Sequence, residues 1–143
     1  MNMLDIAQVP AIVIAHDKTV LEAVDISIGP RVGAVVVTRN DQMVGILTER
    51  DVMFKVVHGR LDPAKTLVSE VMSSPPVFIS RSGTIQEAFK IMAERHIRHL
   101  PISEDGVSVE GVLSIRNVLH SLLDNLEKHT SHLEAYVVSG LSQ

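Results

Sequence analysis

The chain repeats itself, and that constrains its fold more than any other feature. Gly45-Ile46-Leu47-Thr48-Glu49-Arg50-Asp51 returns as Gly111-Val112-Leu113-Ser114-Ile115-Arg116-Asn117. The shift that lays Pro10 on Pro75 also lays Ile14 on Ile79, Thr19 on Thr84, Glu22 on Glu87 and Ile26 on Ile91. One inserted residue later, Gly45 meets Gly111, Leu47 meets Leu113, Arg50 meets Arg116 and Val52 meets Val118. Matches that keep their order across both halves identify a tandem duplication, in which each unit folds alike.

Each half parses as strand, helix, strand, strand, helix. Ile12-Val13-Ile14 and Val77-Phe78-Ile79 are short apolar runs after prolines and predict strands. Thr19 and Thr84 are each followed three residues later by Glu22 or Glu87, the reciprocal capping box of a helix start. Ile85, Ala88, Phe89 and Met92 make one apolar stripe at helical spacing, and Leu21, Val24 and Ile28 make the first-half counterpart, stopped by Gly29-Pro30. Gly33–Val37 and Arg98–Ile102 then lead through turns into the repeated motif, which predicts two antiparallel hairpins.

The closing helices carry Val52, Met53, Val56 and Val57 in one half, and Val118, Leu119, Leu122, Leu123 and Leu126 in the other. The second runs on through Leu133 and Val137. Met43, Met53, Met72 and Met92 read as gap-filling core residues. His58–Pro63 is a turn-rich linker; Leu4–Ala7 and Leu67–Met72 are short amphipathic lead-in segments to the two repeats. The expected fold class is α/β of the α+β kind, with repeat one over 1–61, repeat two over 62–127 and a helical extension over 128–143. Neither half alone buries much core, so the two should pack together.

In each repeated motif an apolar strand runs straight into a helix, with Thr48 or Ser114 at the N-cap. Unpaired N–H groups at such a junction can receive an anion. A net charge of −4, 3% aromatics and no tryptophan argue against nucleic acid as a partner. The absence of cysteine excludes disulfides and thiolate metal sites and fits a cytoplasmic location. No apolar run reaches the length of a membrane span, and Met1–Asp5 lacks the form of a secretory signal. His96 and His99 are suitably spaced for a metal, but no further ligand completes a set. No nucleophile elbow, P-loop or dinucleotide fingerprint is present, so no catalytic residues are assigned.

The strand-helix-strand-strand-helix unit ending in Gly, two apolar residues, Ser or Thr, two residues and Asp or Asn resembles the CBS domain. Two such units resemble the CBS pair called a Bateman module. The resemblance covers residues from about 3 to 125, and is carried most strongly by Arg95-His96-Ile97-Arg98-His99-Leu100-Pro101-Ile102 with Gly111–Arg116. The tail Leu133-Glu134-Ala135-Tyr136 looks like that of small stand-alone bacterial CBS-pair proteins. The first repeat has Val36 where the family often has proline.

What the resemblance implies is a pseudo-two-fold pair of repeats that binds adenine nucleotides as regulatory ligands. AMP, ADP, ATP, NAD(H) and S-adenosylmethionine are the candidates. It also implies a flat homodimer, an effector protein that reads the ligand state, and no membrane partner. Each cleft would take the hydroxyl and acid of one repeat with the lead-in strand of the other. The first is then Ile46, Thr48, Arg50 and Asp51 with Val77 and Phe78; the second is Val112, Ser114, Arg116 and Asn117 with Ile12 and Val13. Arg98, His99, Leu100 and Pro101 are assigned to the second half's site.

A carboxylate such as Asp51 accepts hydrogen bonds from both ribose hydroxyls, whereas the Asn117 amide oxygen accepts without charge. Arg98 matches Gly33 and His99 matches Ala34, so the first cleft is expected to favour the sugar and the second the phosphate. The alternative is a dimerisation module with empty clefts.

Overall fold

A computed structural model describes residues 1–141 of the chain. In the first repeat β1 (Val13–Ala15) runs parallel to β2 (Ala34–Arg39), and β2 pairs antiparallel with β3 (Gln42–Thr48). Asn40 and Asp41 turn this hairpin at φ of 51° and 61°, a left-handed conformation that their short polar side chains tolerate. Helix α1 (Val20–Ile28) links β1 to β2. The capping box forms as expected: Glu22 N donates to Thr19 Oγ1 at 3.2 Å, and Thr19 N donates to the Glu22 carboxylate at 2.9 Å.

The buried edge of α1 is Val20 and Ala23 rather than the expected stripe; Leu21 and Ile28 are exposed and Val24 is half-buried. Ala23 is small enough for close approach to the sheet, which turns the larger neighbours outward. The helix after β3 begins as α2 (Glu49–Asp51) and continues as a π-helical stretch, Val52–Val57. Val56 is buried, while Met53 is 64% exposed and so is a surface residue, not core filling.

The second repeat carries α3 (Val68–Val71), α4 (Ile85–Arg95), β4 (His99–Ser103), β5 (Val109–Ser114) and α5 (Ile115–Leu141). Thr84 and Glu87 form the second capping box. Ile85, Ala88 and Met92 face the core as expected; Phe89 lies at the edge of the stripe, exposed. The antiparallel β4–β5 hairpin stands alone as a two-stranded sheet. Instead of a strand over Val77–Ile79, a single bridge joins Ile79 to Ile102, with Ile79 N donating to Pro101 O and Ser103 N donating to Ile79 O, both at 3.0 Å. The reason is Pro101. Its counterpart Val36 donates its N–H to Ile12 O at 2.9 Å, and proline has no N–H to offer Val77.

Helix α5 outruns its first-repeat counterpart, as the apolar spacing predicted. Val118 and Ser121 are buried, whereas Leu119, Leu123 and Leu126 are exposed. The side chains of His132, Ala135, Tyr136 and Val137 lie outside the described part.

The two repeats exchange their lead-in segments. Met3, in a short 3-10 turn over Met3–Asp5, is fully buried in the second repeat's core with Ile79, Ile85, Leu100 and Leu113. Val68 and Val71 of α3 are buried in the first repeat's core with Ile14, Val20, Val35 and Leu47. A third cluster, Val36 and Met43 with Val112, joins the two. Gly45 and Gly111 permit the crossings: a Cβ on Gly45 would collide with Met72 Sδ, and one on Gly111 would lie 2.9 Å from Gln8 O.

Candidate ligand clefts between the repeats

Two cavities open at the junction, of about 540 and 630 Å³, inside the range of small-molecule sites. Ile46, Thr48, Glu49 and Arg50 of the first repeat face Ser73, Pro75, Pro76 and Val77 across the smaller one. Val112, Ser114, Arg116 and Asn117 of the second face Gln8 and Ile12 across the larger. The repeat alignment maps one wall onto the other, Ser73 onto Gln8 and Val77 onto Ile12.

The structure places the expected residues unevenly. Ile46, Thr48, Arg50 and Val77 line the first cleft, and Ile12, Val112, Ser114, Arg116 and Asn117 line the second. Val13 and Phe78 line neither: strand alternation in β1 turns Val13 away from the cleft, and Phe78 packs beside Gly106, where a Cβ would lie 2.8 Å from its ring. Leu100 and Pro101 are buried in the core, because β4 carries them beneath the cleft wall.

Asp51 also stands behind the first cleft rather than in it, 6% exposed. Its carboxylate accepts from Thr48 N at 3.0 Å, Thr48 Oγ1 at 3.1 Å and Ser73 Oγ at 3.0 Å, and pairs with Lys55 Nζ at 3.0 Å. Asn117 repeats the cap alone, its Oδ1 accepting from Ser114 N at 3.1 Å and Ser114 Oγ at 2.7 Å. Thr48–Asp51 and Ser114–Asn117 are therefore capping boxes first.

Arg98 and His99 line both clefts, as does Glu49. They stand where the cavities back onto each other, so the expected division into a sugar cleft and a phosphate cleft does not follow from them. Burial pushes the His99 imidazole below its ordinary value of 6.5; the Glu49 carboxylate opposes this and the Arg98 guanidinium adds to it. Arg50 donates through Nη1 to His96 O at 3.3 Å and lies 5.0 Å from the centre of the Phe54 ring, tying the repeats together over the first cleft.

Arg31, Phe54 and His120 also line the clefts, as does His96, which the sequence offered only as half of a metal pair; none of the four was assigned to a cleft from the sequence. The signal that finds them is the alignment itself, which sets Arg31 opposite His96 and Phe54 opposite His120. Arg31 and His96 share a left-handed backbone at φ of 57° and 55°, so both helices end in the same bend. The second cleft thereby gathers Arg31, Arg98 and Arg116, and the first gathers Arg50 and Arg98. Arginines converging on a concave wall suit a phosphate-bearing ligand.

This arrangement of paired repeats around two clefts matches known proteins. The CBS domain family matches residues 4–58 and 68–124, and the chain belongs to that family. It is 34% identical over 119 residues to a CBS domain-containing protein of Arabidopsis thaliana, CBSCBSPB2, covering 82% of this chain and 22% of that protein. A match to a relative from Methanopyrus kandleri, 34% identical over 85 residues, covers 59% of this chain and 43% of that protein; in both cases the match spans less than half of the relative's length. The crystal structure of a CBS-domain containing protein from Agrobacterium tumefaciens superposes at a TM-score of 0.75 with 28% identity, over 83% of this chain and 94% of that one. A CBS domain protein from Pyrobaculum aerophilum, solved in complex with AMP, shares the fold at a TM-score of 0.75 with 23% identity, over 87% and 99% of the two chains. CBS domains are generally regulatory, non-catalytic modules, and two of them make up most of this chain. No helix among the described residues is long and apolar enough to cross a membrane.

Proposed function

We propose that the chain is a non-catalytic regulatory module that binds an adenine nucleotide between its repeats and signals to a partner protein by conformational shift. The observation that carries this is the pair of equivalent clefts, each walled by both repeats and each containing arginine from both. A ligand bridging the repeats favours one inter-repeat geometry, and a partner that distinguishes geometries reads ligand state. AMP, ADP, ATP, NAD(H) and S-adenosylmethionine share the adenine, ribose and anionic or polar groups that such clefts address.

In this reading the arginines and His99 hold the phosphate. Backbone groups of the lead-in segments meet the adenine edge, and the Val77 carbonyl, which Pro101 cannot engage, is suited to that role. Ribose hydroxyls donate to Asn117 Oδ1 in the second cleft and to Asp51 in the first, once Ser73 yields its place. The module works as a homodimer in the cytoplasm; the exposed Leu21, Ile28, Met53, Val57, Leu119 and Leu123 on its helices support the pairing, since apolar surface of this kind is usually covered.

The test is a thermal-shift screen of the five ligands with native protein and Arg98→Ala, whose side chain borders both clefts. A ligand at about 100 times its dissociation constant should stabilise the native chain by about 2.7 kcal/mol, a shift of several degrees, and Arg98→Ala should lose most of that shift. Unmoved melting curves with all five would remove the nucleotide reading. The exposed apolar helices would then favour a dimerisation module with empty clefts, and sedimentation velocity would show the dimer in the absence of ligand.

A further inference from the structure

We propose that Ser73 latches the first cleft, so that nucleotide enters the second cleft first; this rests on the nucleotide reading above. Asp51 and Asn117 are equivalent by sequence, yet Asn117 lines its cleft and Asp51 does not. What stands between Asp51 and the first cavity is Ser73. Its hydroxyl donates to the two carboxylate oxygens at 3.0 and 3.3 Å. Its backbone is bridged to β3 in both directions, Ser73 N to Ile46 O at 2.9 Å and Ile46 N to Ser73 O at 3.1 Å. Lys55 secures the same lead-in segment from behind, with Nζ 3.0 Å from Asp51 Oδ1 and donating to Val71 O at 3.0 Å.

The second cleft has the backbone half of this device and lacks the side-chain half. Gln8 occupies the position of Ser73 and makes the same bridge, Gln8 N to Val112 O at 2.9 Å and Val112 N to Gln8 O at 3.1 Å. Among the described residues its side chain makes no hydrogen bond to Asn117, and the counterpart of Lys55 is Ser121. A hydroxyl donating to a carboxylate is the bond that a ribose would make. In the first cleft the protein makes it internally, and a nucleotide must break it to reach Asp51. In the second cleft no such exchange is needed.

The experiment is calorimetric titration of the full chain with AMP, in five forms beside the native one. The native chain should fill one strong site, which Arg116→Ala removes. Ser73→Ala should strengthen the first cleft about tenfold, the factor expected when a hydrogen bond to a charged acceptor no longer has to be exchanged. That second site should persist in Ser73→Ala/Arg116→Ala and vanish when Asp51→Ala is added. Ser73→Thr keeps the hydroxyl and should behave as the native chain. Two equal sites in the native chain, or a Ser73→Ala titration indistinguishable from native, would overturn the latch and leave the nucleotide reading standing. No AMP binding by either the native chain or Ser73→Ala would overturn the reading on which the latch rests.

Discussion

Asp51 is a residue whose sequence motif has two meanings, and the structure shows one of them realised. The Thr48–Asp51 spacing is a capping box as well as the motif expected to meet a ligand, and all the polar contacts of its carboxylate are internal. Removing it leaves the Ser73 hydroxyl and the Thr48 N–H without their acceptor. Asp51→Ala should therefore cost about 1–3 kcal/mol, measured as a lowered urea midpoint at constant slope, and should abolish ribose-dependent binding in the first cleft while the fold survives. An unchanged affinity of the first cleft would leave Asp51 its capping role alone.

His99 supplies a second prediction at this scale. Its imidazole is held below 6.5 in the folded chain, chiefly by burial, so on acidification the unfolded chain takes up the proton first. Its contribution is unchanged above about pH 6.5, stability falls as the pH drops below that, and the fall levels off once the folded form is also protonated. Thermal unfolding from about pH 8 to about pH 5.5 should show a larger loss for the native chain than for His99→Gln. Equal losses would mean that His99 is not the group responsible.

Among the elements, the glycine of the repeated motif has a physical reason that its flanking residues do not disclose. Gly45 and Gly111 each lie on a strand where the other repeat's lead-in segment crosses. Gly111→Ala puts a Cβ 2.9 Å from the Gln8 carbonyl and 3.0 Å from Val9 Cγ2. Backbone must move, and the variant should lose about 1–3 kcal/mol in denaturant unfolding. The helix starts are a milder case. Thr19→Ala and Thr84→Ala each break a reciprocal box and should cost about 1 kcal/mol apiece; because the two boxes share no partner, the double variant should lose the sum within a few tenths. Pro101 acts through what it lacks: with no N–H for Val77, the second repeat keeps a bridge where the first has a strand.

At the scale of the whole molecule, the repeats are not separable in space where they are separable in sequence. Met3 is 0% exposed and sits in the core of the second repeat. Met3→Ala should therefore destabilise the chain by about 2–4 kcal/mol, with hydrogen exchange accelerated in α4 and β4 rather than in the first repeat. Acceleration confined to residues 1–58 would contradict the exchanged arrangement. The clefts are joined in the same way. Glu49, Arg98 and His99 border both, so charge brought into one cleft is felt in the other at short range.

The sequence by itself determined the duplication, the order of elements, both capping boxes and the positions of Thr48, Arg50, Ser114 and Arg116 at the starts of the closing helices. These are local matters: periodicity and capping act within a few residues, and a repeat copies them. Only the tertiary structure decided which side of each helix is buried, that the lead-in segments change places, that Arg98 and His99 serve two clefts, and that Ser73 covers Asp51. Those outcomes depend on what arrives from the other half of the chain. A stripe such as Leu21–Val24–Ile28 records how apolar a helix is, whereas the partner surface selects Val20 and Ala23. The Thr48–Asp51 motif with which the repeat announces itself is the clearest instance. Its spacing fixes a cap within four residues, while its access to a ligand is set by a hydroxyl 22 positions further along the chain.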